Sequence, residues 1–390
     1  MLARLTHLSL RCAPAVVVAG FLGGLAFVGS PGSTARGADP EALVQAFVTT
    51  TMRRMPLTER ASHLVMTSIP GTRIGPRERR QLRALQPGGI IVFSDNVGSR
   101  DGVRRWTRAV DAVVADASTP GARPVIAVDQ EGGSVRRLPW AGPEASHPQL
   151  GRADRVATTA RVARETARQL MEAGIDLDLA PVADLDLAPA HVMRSRSFGP
   201  LPDRVARHVR AFVTGLHEGG AGAAVKHFPG FGGASSNSDD AVARIGRTRQ
   251  QLERDLVPFR AAVEAGVDAV MMSHGVYAVL DRRHPATLSP VVYAMLRRDV
   301  AFRGLIVTDS LDAIGFRAAA RMSAAAGCAR AVAAGADMVL VTGDLDGAAA
   351  CRSALVRAVR AGDVSRTRLD DAVRRVLTYQ AHHGLLPGTP

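Results

Sequence analysis

Eight times between Pro40 and the C-terminus, a short apolar run ends in polar or glycine-containing residues and is followed by a stretch with helical spacing. The runs are H-L-V-M-T-S-I-P-G (63–71), G-G-I-I-V-F-S-D-N (88–96), P-V-I-A-V-D-Q-E-G-G (124–133), I-D-L-D-L-A-P-V-A-D (175–184), G-A-A-V-K-H-F-P-G (222–230), V-D-A-V-M-M-S-H-G (267–275), G-L-I-V-T-D-S-L-D (304–312) and A-D-M-V-L-V-T-G-D (336–344). Apolar runs without strict alternation mark parallel strands covered on both faces. The segments between them, such as D-R-V-A-R-H-V-R-A-F-V-T-G-L, repeat apolar residues three and four apart, the period of a helix packed on one side. Eight such units predict a (β/α)8 barrel, in which functional side chains gather at the C-terminal ends of the strands. A doubly wound open sheet also alternates strand and helix, but it calls for a glycine-rich phosphate turn after the first strand, and none is present. No low-complexity linker interrupts 39–390, so one domain is expected there.

With 46% hydrophobic and 22% charged residues, the chain has the balance of a soluble globular protein with a large core. Its formal charge of +13 suits an anionic partner such as a cell-envelope polymer. No basic run exceeds Arg-Arg, however, and a solvated arginine-rich surface accounts for the charge without nucleic-acid binding. Arg4 and Arg11 precede an apolar run over 13–28, and Ser33-Thr34-Ala35 follows it. This is the layout of an export signal over 1–38, which leaves either a secreted protein starting near Arg36 or, if uncleaved, a membrane-anchored one. Cys12 precedes the apolar run, where a lipid-modified cysteine does not sit. Cys328 and Cys351 fall in alanine-rich helical segments that would suit either a disulfide or two buried thiols.

Three stretches carry candidate chemistry. V-D-Q-E-G-G-S-V-R-R (128–137) offers Asp129 at a strand end, a Gly132-Gly133 turn and then Arg137, a set suited to hydrogen bonding a polyhydroxylated ligand; capping a helix is the competing role for Asp129. V-T-D-S-L-D leaves Asp309 at the end of an apolar strand as a nucleophile or general base, with Asp312 expected to cap the following helix. In K-H-F-P-G, Lys226 is the only lysine among 49 basic residues. That choice points to a site where a compact ammonium fits and a planar guanidinium does not, with His227 beside it as a ligand contact. Asp184 reads as an organiser of its strand-end loop. Asp176 and Asp178 have no histidine or third ligand nearby, so no metal is expected, nor is any cofactor.

Together with R-S-R-S-F-G (194–199), these stretches resemble glycoside hydrolase family 3, specifically its single-domain bacterial β-N-acetylglucosaminidases, over roughly 55–385. The resemblance implies a barrel enzyme that releases non-reducing terminal N-acetylglucosamine with retention, often from peptidoglycan fragments. On the matching positions it implies that Asp309 is the nucleophile and that Asp129, Arg137, Arg196, Lys226 and His227 hold the sugar's hydroxyls. One loop departs from the pattern. Where the family usually reads H-G, four residues and D-S-H, with the histidine as acid/base and the aspartate supporting it, this chain has Phe231-Gly232 and then Asn237-Ser238-Asp239. Three readings stay open: Asp239 is the acid/base, Asp240 or a residue of another loop serves instead, or the protein binds sugar without turnover.

Overall fold

The computed structural model describes residues 39–189 and 192–389; the export segment expected over 1–38 lies outside them. From Asp39 onward the chain forms one compact unit. Its strands are β1 (Val65–Thr67), β2 (Gly89–Val92), β3 (Val125–Val128), β4 (Gln130–Gly132), β5 (Val135–Arg136), β6 (Leu177–Asp178), β7 (Gly222–Phe228), β8 (Arg244–Ile245), β9 (Ala269–Met272), β10 (Val276–Tyr277), β11 (Leu305–Ser310) and β12 (Met338–Val341). Strands β1, β2, β3, β6, β7, β9, β11 and β12 close into a parallel barrel in chain order. Each of the eight apolar runs supplies one of them.

The barrel explains why those runs do not alternate. Residues such as Ile90, Ile91 and Val92, in register with Ile126, Ala127 and Val128, are buried on both faces, toward the barrel interior and toward the surrounding helices. The helices pack by their apolar stripes. The helix Pro202–Gly219 starts on a first-turn proline, buries Val205, Val209, Phe212, Val213 and Leu216, and ends on Gly220 at φ 96°. Burying each large side chain stabilises the fold by about 1.5–3 kcal/mol before entropy is counted.

Two local features differ from the sequence expectation. The run 175–184 reads as a full strand, yet β6 is only two residues long. Pro181 has no N–H to donate; beyond β6 the contact with β7 continues through the carbonyls of Ala180 and Pro181, which accept from Ala224 N and Lys226 N, and a single bridge between Val182 and Lys226. Ser289-Pro290 has the pattern of an N-cap followed by a first-turn proline, and Ser289 does precede the helix Pro290–Arg298, but its side chain makes no capping hydrogen bond. Cys328 and Cys351 form a disulfide that joins the helices Ala324–Ala334 and Leu345–Ala361.

Candidate active site

A pocket of about 420 Å³ opens at the C-terminal ends of the barrel strands, and Asp129, Arg137, Arg196, Lys226, His227, Asp239 and Asp309 all line it. The sequence scatters these residues over 180 positions; the barrel gathers them because Asp129, Lys226, His227 and Asp309 stand at strand ends, while Arg137, Arg196 and Asp239 reach the same space from the hairpin and loops that follow.

Asp129 follows β3 and leads into the β4–β5 hairpin rather than into a helix, so it is not a cap. The turn between β4 and β5 needs left-handed backbone at Gly132 (φ 94°) and Gly133 (φ 58°), which side chains disfavour. Gln130 braces the segment that follows: its Oε1 accepts from Leu138 N at 3.0 Å and its Nε2 donates to the carbonyls of Leu138, Ala141 and Gly142. The hairpin thereby fixes Glu131 inward and carries Arg137 to the rim, where its guanidinium lies 5.7 Å over the Phe93 ring and 3.9 Å from Asp129.

Lys226, on β7, is 1% exposed. Its Nζ donates to Asp129 Oδ1 at 2.6 Å and lies 2.7 Å from Glu131 Oε1. An ammonium has three N–H groups, so one remains for the pocket. Arg196 clamps Glu131 from the other side through Nε (2.9 Å) and Nη2 (2.6 Å). Burial alone would raise the Glu131 carboxyl, but Lys226 and Arg196 outweigh it and hold that group well below the usual carboxylate range. Burial likewise opposes the Lys226 charge, and Asp129 and Glu131 overcome it, so the ammonium pKa is raised. Arg196 is positioned by the segment around it: Ser197 Oγ donates to Asp184 O at 2.6 Å, and Phe198 stacks on His147 at 4.1 Å.

His227 donates from Nδ1 to Asp184 Oδ2 at 2.6 Å, which leaves Nε2 as the acceptor, 3.5 Å from Arg196 Nη2. Asp184 also accepts the backbone N–H groups of His227 and Phe231, and so ties the strand end to the loop beyond it, as its sequence position suggested. Asp309 stands near the end of β11, half-buried, with the N–H of Ser310 donating to its Oδ1 at 2.7 Å. Burial would raise its carboxyl; His274 and His227, the Ser310 N–H and Lys226 outweigh burial and hold it below the ordinary value, as an anion. His274 is buried, and its Nε2 contacts the Ser310 carbonyl at 2.7 Å, so Nε2 carries a proton. Burial lowers the pKa of this ring against the pull of Asp309, and its Nδ1 lies 2.7 Å from Thr287 Oγ1, whose hydroxyl donates to Ser273 O at 2.8 Å.

Asn237 and Asp239 occupy the loop after β7. Asp239 is exposed, and the Asn237 amide donates to its Oδ2 at 3.3 Å. Asp312 departs from its expected role: the helix Ile314–Ala320 has no side-chain cap, and Asp312 Oδ2 accepts from Thr342 N (2.7 Å) and Gly343 N (3.0 Å) in the next strand-end loop. Glu131 and His274 were visible only as polar residues at strand ends; the structure makes one the partner of both Lys226 and Arg196 and the other the neighbour of the Asp309 segment. Among the described residues no three His, Cys, Asp or Glu side chains group so as to hold a metal ion. Asp176 and Asp178 instead accept the backbone N–H groups of Ile126 and Gln130.

The arrangement thus brings anionic Asp309 together with the cationic and imidazole side chains of Arg137, Arg196, Lys226 and His227 around the same space. Residues 56–379 match the family described as glycosyl hydrolase family 3 N terminal domain. A beta-hexosaminidase of Pseudomonas aeruginosa is 34% identical over 305 residues, 75% of this chain and 86% of that protein. Among solved structures, a glycoside hydrolase family 3 beta-N-acetylglucosaminidase from Paenibacillus sp. aligns with TM-score 0.80 and 31% identity, covering 86% of this chain and 64% of that longer one. A beta-N-acetylhexosaminidase from Beutenbergia cavernae aligns with TM-score 0.77 and 30% identity over 85% of this chain and 99% of that one.

Proposed function

This chain belongs to glycoside hydrolase family 3, and from that premise we propose that it is a retaining β-N-acetylhexosaminidase that removes terminal N-acetylglucosamine from cell-envelope glycans such as peptidoglycan fragments. The observation that carries the reading is the single pocket holding anionic Asp309 together with Lys226, Arg196, Arg137 and His227. Retention needs a carboxylate below the anomeric carbon and an acid above the departing oxygen. Asp309 attacks the anomeric carbon and forms a glycosyl-enzyme ester while the bond to the leaving oxygen breaks. Asp239 gives that oxygen its proton, then takes one from the water that cleaves the ester. Asp239 lines the same pocket as Asp309, on the loop after β7. Lys226, Arg196, Arg137 and His227 fix the sugar's oxygens by charged hydrogen bonds that strengthen as the oxocarbenium-like charge develops.

The exposed Asn237-Asp239 pair, in place of an aspartate–histidine dyad, favours a second reading: a sugar-binding protein that does not turn over. Localisation belongs to the same proposal. The N-terminal export layout and the Cys328–Cys351 disulfide both suit a compartment outside the cytoplasm. Hydrolysis of a chromogenic N-acetyl-β-glucosaminide by the purified protein separates the two readings. Turnover with the β-anomer as first product is expected; binding of N-acetylglucosamine without turnover of activated or natural-type substrates would install the second.

A further inference from the structure

We propose that Gly315 is a positioning residue for proton transfer, because it lets the Asp239 loop latch onto the segment that follows the nucleophile; the proposal rests on the reading of Asp239 as acid/base. Two backbone bonds make the latch. Ile314 N donates to Asp239 O and Gly315 N to Ser238 O, each at 3.1 Å. The neighbouring backbone bonds, Asp240 N and Ala241 N to Asn237 O, are internal to the loop and shape it without attaching it to the barrel. The Asp239 side chain is itself exposed, with the exposed Asn237 amide as its partner. The latch therefore sets where the Asp239 carboxylate stands.

The close approach depends on residue 315 having no side chain. A Cβ there would meet Ala241 O at 2.1 Å and Ser238 O at 2.4 Å, both backbone atoms that cannot swing aside. Adding one methyl group must lift the loop or break both bonds. Asp309 on β11 and the latch donors Ile314 and Gly315, which open the following helix, lie on one continuous segment, so the geometry ties the position of the proton donor to that of the nucleophile. Asp312, held by Thr342 N and Gly343 N, anchors that turn from the other side.

The test compares N-acetyl-β-glucosaminides bearing poor leaving groups, such as sugars, with activated dinitrophenyl glycosides, using the parent protein, Asp239→Ala, Gly315→Ala, Ile314→Pro and Ile314→Val. Ile314→Pro deletes one latch N–H at the first position of its helix, where proline is tolerated. The preceding Ala313 already has the extended backbone (φ −53°, ψ 134°) that proline requires. Ile314→Val keeps the N–H and sets the baseline for the side-chain change. Gly315→Ala and Ile314→Pro should lose about 10²-fold in kcat/KM on poor leaving groups. They should change little on activated ones, and azide should accelerate their turnover as it does for Asp239→Ala. Equal losses on both substrate classes, or unchanged activity on poor leaving groups, overturn the latch while an impaired Asp239→Ala leaves the acid/base assignment standing. An Asp239→Ala protein as active as the parent on poor leaving groups removes both. Should Gly315→Ala fail to fold, Ile314→Pro decides the matter alone.

Discussion

At the N-terminal mouth of the barrel, Asp176, Asp268 and Asp337 stand just before β6, β9 and β12, and each sends its Oδ2 to a backbone N–H of the neighbouring strand: Ile126 on β3, Ala223 on β7 and Ile306 on β11, at 2.8–3.0 Å. Asp268 also meets His217 and His383, and Asp337 meets Arg297, Arg368 and Arg375. At the C-terminal mouth Asp184, Asp309 and Asp312 also accept backbone N–H groups, but the charges at the centre of the pocket bond to one another across strands. Lys226 joins Asp129 and Glu131, Arg196 joins Glu131, and donors are left facing an open pocket. Carboxylates tied to backbone at strand starts hold the register of a closed sheet. Ion pairs with hydrogen-bonding capacity left over hold a ligand. The difference between scaffold and site is thus one of saturation, not of charge or burial.

If that is right, substitutions at the two mouths should have separable effects. Asp309→Ala should lower turnover by at least about 10⁴-fold, since no glycosyl-enzyme can form, while thermal unfolding stays near the parent. A large loss of stability in that variant would blur the distinction. Asp337→Ala should do the opposite. It strips the partner from three arginines and from Ile306 N, so urea unfolding should show a loss of about 3–5 kcal/mol, with kcat per folded molecule retained. A stable Asp337→Ala protein would mean that this mouth is not saturated after all. Lys226→Arg should be milder: the charge is kept, but a planar fork cannot occupy the compact socket between Asp129 and Glu131. Affinity for the sugar should fall by about 1–3 kcal/mol, read by titration; unchanged binding and turnover would make the lone lysine incidental.

The smallest effect is in pH. Burial pushes the Asp176 carboxyl up to about 7, against the Ile126 N–H that favours its charge. The folded state thus holds this proton more tightly than the unfolded chain, whose aspartates titrate near 4. Stability from this group is full below about pH 4 and is lost as pH rises through about 7. Asp176→Asn should flatten that slope in unfolding measured across the range, and an unchanged slope would remove the assignment.

Much of this was legible in the sequence, and the exceptions are instructive. Eight apolar runs announced the barrel because burial on both faces leaves no alternation to misread; Asp129, Lys226, His227 and Asp309 stood out at run ends, whereas Arg196 and Asp239 were named only through the family resemblance, and all six line one pocket. The strings I-D-L-D, V-D-A-V and A-D-M-V were equally visible. Their meaning depends on which N–H of the adjacent strand lies opposite, a register that one strand's sequence does not contain. Glu131 was hidden for a similar reason: only the Gly132-Gly133 hairpin turns it toward Lys226 and Arg196. Asp312 looked like a helix cap, but the turn after it is shaped by the Asp239 loop docking on Ile314 and Gly315, and its carboxylate goes to Thr342 and Gly343 instead.

The central claim, that Asp309 forms a covalent bond to the sugar, is open to direct observation. Trypsin cuts after Arg303 and Arg317, releasing residues 304–317 as one peptide containing both Asp309 and Asp312. The protein would be incubated with a 5-fluoro-N-acetyl-β-glucosaminyl fluoride, which slows breakdown of the ester, then digested and sequenced by tandem mass spectrometry. The expected result is a fluoro-N-acetylglucosaminyl adduct on Asp309. An adduct on Asp312 or another carboxylate, or substrate turnover with no adduct on this peptide, would contradict it.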